Sequence, residues 1–225
     1  YVTVLKGKGR GQTRRVVGRV GNTLRLSAPW RVKPEKGAVV VVSTLYYQNI
    51  ILNNETLDGM SGVQLWIGCV ENIVSGNVAK RLRKPGLYMF GTCTTLASSM
   101  PRTWNRGIGP FNWNICEGNH TEVCSTGMVL VATDRMPIEW ARALGNVVRH
   151  NSFVSSRFDG LYISSRNTKG QKGESIVGTI VEFNLVRDAR RAFRTGMNVG
   201  VTLFRRNHVY FWTPVAPEEE PIAFH

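Results

Sequence analysis

Six short phrases in this chain close on Asn after an apolar run: "NIILNN" at 49–54, "NIVSGN" at 72–77, "NICEGN" at 114–119, "NVVRHN" at 146–151, "TIVEFN" at 179–184 and "TLFRRN" at 202–207. Each reads Asn or Thr, an aliphatic residue, an apolar residue, two variable residues, then Asn. The closing residues are Asn54, Asn77, Asn119, Asn151, Asn184 and Asn207, spaced by 23, 42, 32, 33 and 23 residues. The short intervals define a unit, and the long ones fit the same unit carrying insertions. A second landmark follows the first five phrases, a Gly leading into alternating apolar residues: "GVQLWIG" (62–68), "GLYMFGT" (86–92), "GMVLVAT" (127–133), "GLYISSR" (160–166) and "GMNVGVT" (196–202). Each unit thus holds two strand-length segments and two turn signals. Helical periodicity is nearly absent, its best stretch being the short "IEWARAL" at 138–144.

A short repeat of strands and turns constrains the fold to stacking. One unit cannot bury its inward side chains alone, so the next must lie on it in parallel, about 4.8 Å away. This predicts an inward column of Val63, Leu87, Met128, Leu161 and Met197, and another of Ile50, Ile73, Ile115, Val147, Ile180 and Leu203. Each closing Asn is expected at a sharp turn, where Asn tolerates left-handed backbone, and the six amides are expected to bond along the stack as a ladder. Cys116 fills the slot of Ile51 and Val74, which predicts a buried small hydrophobe.

Composition adds the class of partner. The chain has 225 residues, 42% hydrophobic and 20% charged, as in ordinary globular proteins. Its formal net charge of +14 favours anionic partners. Cys69, Cys93, Cys116 and Cys124 form no CxxC pair and have no matching histidine spacing, so neither metal nor cofactor is expected; a Cys93–Cys124 bridge stays open. No run nears the ~20 apolar residues of a membrane span. The chain opens on "YVTVLKGKGRG" without initiator Met or secretory leader, as expected of a mature product or an excised piece. "GKGRG" lacks the strand–glycine–helix order and the GK[ST] of a phosphate loop and reads as a basic turn.

The "NIVSGN…GLYMFG" pattern over residues 45–212 resembles the right-handed parallel β-helix repeat of pectate-lyase-like proteins. The resemblance implies an all-β fold, a right-handed parallel β-helix (β-solenoid) of about six coils with loop insertions on one side. The opening "GKGRGQTRRVVGRVGNTLRLSAPWRVKP" at 7–34 resembles an entry segment that precedes such repeats in some large bacterial β-helix proteins, so residues 1–44 are expected to be an entry or capping β segment and 213–225 an acidic, proline-rich exit tail. Bare solenoid ends expose strand edges, so a larger chain or assembly is expected. The family's usual setting implies an extracellular or cell-envelope location.

The extra residues of the long units fall after the Gly-led strand, at 92–111, 132–143 and 164–174. Loops leaving one slot of successive coils project together and build a wall. Arg102, Arg106, Arg135, Arg142, Arg166, Lys169 and Lys172 supply charge for carboxylates. Trp104, Trp113 and Trp140 supply flat faces, with Asp134, Glu139 and Asp159 nearby. The expected partner is an acidic polysaccharide; no nucleic-acid module is recognisable, and nucleic acid is not expected. Two readings stand beside binding, a polysaccharide lyase and a structural segment of a large surface or appendage protein. The polygalacturonase-like motifs and a calcium-binding acid cluster are missing. A lyase would draw its base and neutraliser from Arg190, Arg194, His150, His208 and Tyr162.

Overall fold

The computed structural model describes residues 1–66, 68–93, 109–134, 143–167 and 175–211, and every regular element among them is a strand. From Tyr46 onward the chain passes through four parallel sheets in a fixed order. Sheet I holds Tyr46–Tyr47, Cys69–Val70, Phe111–Asn112, Ala143–Leu144, Ile176–Val177 and Val199–Gly200. Sheet II holds Ile50–Leu52, Ile73–Ser75, Ile115–Glu117, Val147–Arg149, Ile180–Glu182 and Leu203–Arg205. Sheet III runs through Glu55–Leu57, Val78–Leu82, His120–Cys124, Ser152–Val154, Leu185–Arg187 and His208–Tyr210. Sheet IV runs through Val63–Trp66, Leu87–Cys93, Met128–Asp134, Asp159–Asn167 and Arg191–Thr195. Strand stacks on strand in register, the arrangement of an all-β solenoid. The first five passes have four strands each where two were expected, and the last has three among the described residues, because two-residue strands are too short to display alternation. Ala143–Leu144, at the end of the short stretch with the best helical periodicity, is one of them.

The predicted registry of sheet II holds, Ile50–Ile73–Ile115–Val147–Ile180–Leu203 lying side by side, but its facing is reversed. The inward column is Ile51–Val74–Cys116–Val148–Val181–Phe204, and its four central members are fully buried. The column beginning with Ile50 lies on the outside, where its aliphatic side chains cover one another. In sheet IV, Val63, Leu87, Met128 and Leu161 stack inward as predicted, while the fifth member is Phe193, not Met197. Met197 is 67% exposed. The reason lies in the leading glycines. A Cβ on Gly127 would meet Gly160 O at 2.5 Å, and one on Gly160 would meet Ala192 O at 2.7 Å. Each glycine makes room for the carbonyl of the next strand. Ala192 occupies that slot in the last strand of sheet IV, which has no further strand above it among the described residues, so the fifth landmark glycine, Gly196, does not belong to the column.

The Asn ladder forms, though not through left-handed asparagines. The residue before each closing Asn takes the positive φ: Asn53, Gly76, Gly118, His150, Phe183 and Arg206, between 52° and 64°. The Asn side chain then turns inward. Its Oδ1 accepts both the N–H and the Nδ2–H of the Asn one pass earlier, and its own Nδ2 also donates to a sheet II carbonyl of that pass. A second ladder, unforeseen, runs through the first residue of the phrase: Asn49, Asn72, Asn114 and Asn146. Thr179 and Thr202 continue it in position only, their buried hydroxyls having no hydrogen-bond partner among the described residues. Cys124 is a free buried thiol, so the Cys93–Cys124 bridge is not formed.

Residues 1–44 build a small antiparallel sheet from Val2–Lys6, Thr13–Arg14 and Val39–Val42, plus a hairpin, Val16–Val20 with Thr23–Leu26. The "GKGRG" run is a turn in which Gly7, Gly9 and Gly11 all have positive φ. This segment leans on the corner between sheets I and II. Trp113 Nε1 donates to Gly11 O at 3.0 Å, and Tyr1 packs against Tyr47. No helix among the described residues is long and apolar enough to cross a membrane.

Candidate functional site

Alternation along sheet IV sends one set of side chains inward and the other to the surface. One outward row is Gln64, Tyr88, Val129, Tyr162 and Arg194; the next holds Trp66 and Phe90. Parallel register therefore piles aromatic rings on the outer face. Trp66 stacks on Phe90 at 4.5 Å between centroids, and Tyr88 stands at 5.9 Å from Trp66 with its ring turned on edge. Trp66 and Tyr88, together with Gln64, Tyr162, Lys84 and Arg194, line a groove of about 410 Å³. An aromatic floor flanked by two cations, an amide and a phenol suits a ligand with flat apolar faces and negative groups.

Arg194 is fixed in place. Its guanidinium carbon lies 3.6 Å from the centre of the Tyr162 ring, and its Nη2 lies 3.1 Å from Asp159 Oδ2. Arg191 Nε donates to Asp159 Oδ1 at 2.7 Å. The Asp159 side chain is 1% exposed. A buried carboxylate needs such partners, so Asp159 is a bracket for two arginines and is not presented to a ligand.

The sequence candidates separate on this frame. Arg194 and Tyr162 come together in the groove. His150 sits at the corner of sheets II and III, stacked on Phe183 at 5.0 Å, and His208 lies on sheet III. Arg190 is exposed just before the strand Arg191–Thr195. Trp113, expected as a flat face for a sugar, lies apart from the sheet IV groove; it hydrogen-bonds the N-terminal segment and lies across Gly145, where a Cβ would run into its ring. Arg102, Trp104, Arg106, Arg135, Glu139, Trp140, Arg142, Lys169 and Lys172 lie outside the described residues. Of Arg166 and Asp134 only the backbone is described, on sheet IV. The strands that precede the three long loops end at Cys93, Asp134 and Asn167, which lie side by side in register. The loops therefore leave from the edge of sheet IV where its strands end, whereas Ser61, Lys84, Pro85 and Thr126 set the groove toward the edge where they begin. Sequence reasoning missed Gln64, Trp66, Lys84 and Tyr88. The signal was present: "QLW" and "LYMF" place their outward alternates at 64, 66, 88 and 90. The chain matches no protein-family model, no curated protein and no solved structure.

Proposed function

We propose that this chain is a right-handed parallel β-helix of about six coils, similar to pectate-lyase-like proteins, and that it binds an acidic polysaccharide along the outer face of sheet IV. The observation that carries the reading is one groove on the outer face of sheet IV that combines Trp66 and Tyr88 with Lys84 and Arg194, on the same sheet from which the three basic loops depart. Sugar rings lie on the aromatic faces, and carboxylates meet the cations. The loop residues Arg102, Trp104, Arg106, Arg135, Trp140, Arg142, Arg166 and Lys169 extend the surface in this reading. Its setting is extracellular or at the cell envelope, within a larger chain or assembly.

The test is salt-dependent retention on polygalacturonate, with Lys84→Ala and Tyr88→Ala each weakening binding by about tenfold, the weight of one charge-assisted contact or one stacked ring. Retention unaffected by both changes sinks the groove. Following the absorbance of unsaturated products in the same mixtures separates binding from lyase chemistry; a steady rise that depends on Tyr162 would favour the lyase.

A further inference from the structure

A second cleft, of about 470 Å³, lies between the N-terminal segment and the corner of sheets I and II, lined among others by Arg10, Arg14, Arg31, Tyr47, Glu71 and Trp113. It shares no lining residue with the sheet IV groove. Its polar groups are held in place by the fold. Arg14 donates through Nε to Pro29 O at 2.9 Å and through Nη1 to Thr13 O at 2.8 Å, and lies over the Trp30 ring. Tyr47 Oη donates to Glu71 Oε2 at 2.9 Å, and Gln48 Nε2 to the same oxygen at 3.0 Å. Burial and that hydrogen bond push the Tyr47 hydroxyl up to about 12, so it stays a donor at ordinary pH. Glu71 Oε1 accepts from no described side chain, and Arg10 and Arg31 are exposed and have no ion-pair partner among the described residues.

We propose that this cleft is a second site, specific for a single acidic sugar unit. Arg10 and Arg31 take the carboxylate, Glu71 Oε1 accepts a sugar hydroxyl, and the sugar ring lies against Trp113. The combination selects the ligand. Three guanidinium groups are more than a neutral sugar requires. A bare phosphate or sulfate gains nothing from Glu71 and is repelled by it, whereas a uronate carries both the anion and the hydroxyl donors. The site shares its ligand chemistry with the reading above but rests on other residues, and either can fail alone.

The test is calorimetric titration of the whole chain with digalacturonate, and separately with inorganic phosphate. Wild type binds two digalacturonates. Arg10→Ala/Arg31→Ala, which removes two exposed side chains without structural hydrogen bonds, binds one, and Lys84→Ala combined with it weakens that remaining site by about tenfold. Glu71→Gln weakens the cleft site at least tenfold for digalacturonate and leaves phosphate no weaker. On the wild-type protein, digalacturonate protects Arg10 and Arg31 from phenylglyoxal, read by peptide mass. An Arg10→Ala/Arg31→Ala protein that binds like wild type overturns the proposal, as does phosphate binding the cleft as tightly as digalacturonate. Loss of binding in Lys84→Ala alone overturns it too, while leaving the sheet IV reading intact.

Discussion

Asn119 shows how much a single side chain does in this fold. Its Oδ1 accepts Asn77 N at 2.9 Å and Asn77 Nδ2 at 3.0 Å; its Nδ2 donates to Val74 O and to Asn151 Oδ1. All of these groups are out of reach of water, Asn77, Val74, Asn119 and Asn151 being buried. Asn119→Ala leaves the buried Asn77 N–H without its acceptor and takes one bond each from the Asn77 amide and from Val74 O, at about 1–3 kcal/mol for each lost partner. Urea unfolding is expected to show a loss on the order of 3–5 kcal/mol. Asn54→Ala, at the exposed end of the same ladder, is expected to cost under about 1 kcal/mol, because water replaces what it loses. Equal losses at both positions would deny the ladder its role. The buried thiols make a second test. Burial pushes Cys69 up to about 12 and raises Cys116 and Cys124 as well. With thiolate scarce and access closed, these three are expected to stay unlabelled by iodoacetamide in the native protein and to label fully in denaturant, as peptide mapping will show.

At the scale of strands, what could be read from sequence depended on whether neighbouring residues differ in kind. The closing Asn was legible because a polar residue recurring after an apolar run demands a polar partner, and the only partner at its slot is its own copy. The facing of sheet II was not legible. "II", "IV", "IC" and "VV" place two apolar residues on opposite faces, so alternation carries no signal there, and the outer column hides its surface against itself. The second ladder was missed for a related reason: Thr179 and Thr202 dilute the pattern of Asn49 to Asn146. The groove residues escape a sequence reading because charge marks the loops, while Trp66 and Tyr88 lie within strands whose inward members carry the repeat. The leading glycines, by contrast, announced the strand but not their own purpose, which is room for a neighbouring carbonyl. That purpose is testable. Gly127→Ala places a Cβ 2.5 Å from Gly160 O and 2.8 Å from Phe153, and the strands must part, at a cost of about 1–3 kcal/mol. Gly59→Ala meets nothing closer than 3.6 Å and needs no positive φ. It is expected to be neutral, or to stabilise by up to about 1 kcal/mol through the unfolded chain. Thermal unfolding of the two variants separates them, and similar midpoints would remove the glycine column from the account.

Over the whole molecule, stability has a direction. A pass touches only the passes before and after it, so a central pass is supported on two sides and a terminal pass on one. The burial follows that rule. Cys116, Val148 and Val181 are fully buried, whereas Phe204, in the same column at the last strand of sheet II, is 38% exposed, and Leu203 beside it more so. The ladder follows it too: the Asn207 amide donates back to Asn184's pass through Val181 O, and no further Asn lies above it among the described residues. Opening the last pass therefore breaks one interface, while opening a central pass breaks two. Native-state hydrogen exchange is the measurement that sees this. The amides of Ile115–Glu117 and Val147–Arg149 are expected to exchange slowest, close to the global unfolding rate. Those of Leu203–Arg205 and His208–Tyr210 are expected to exchange faster by at least two orders of magnitude, since losing one such interface separates the opening energies by about 3 kcal/mol or more. Met128→Ala, in the fully buried middle of sheet IV, should then lower global stability by about 2–5 kcal/mol, while Phe204→Ala changes chiefly the exchange of the last strands. If protection is uniform out to Tyr210, the molecule opens as one unit, and support from neighbouring passes is not what sets its stability.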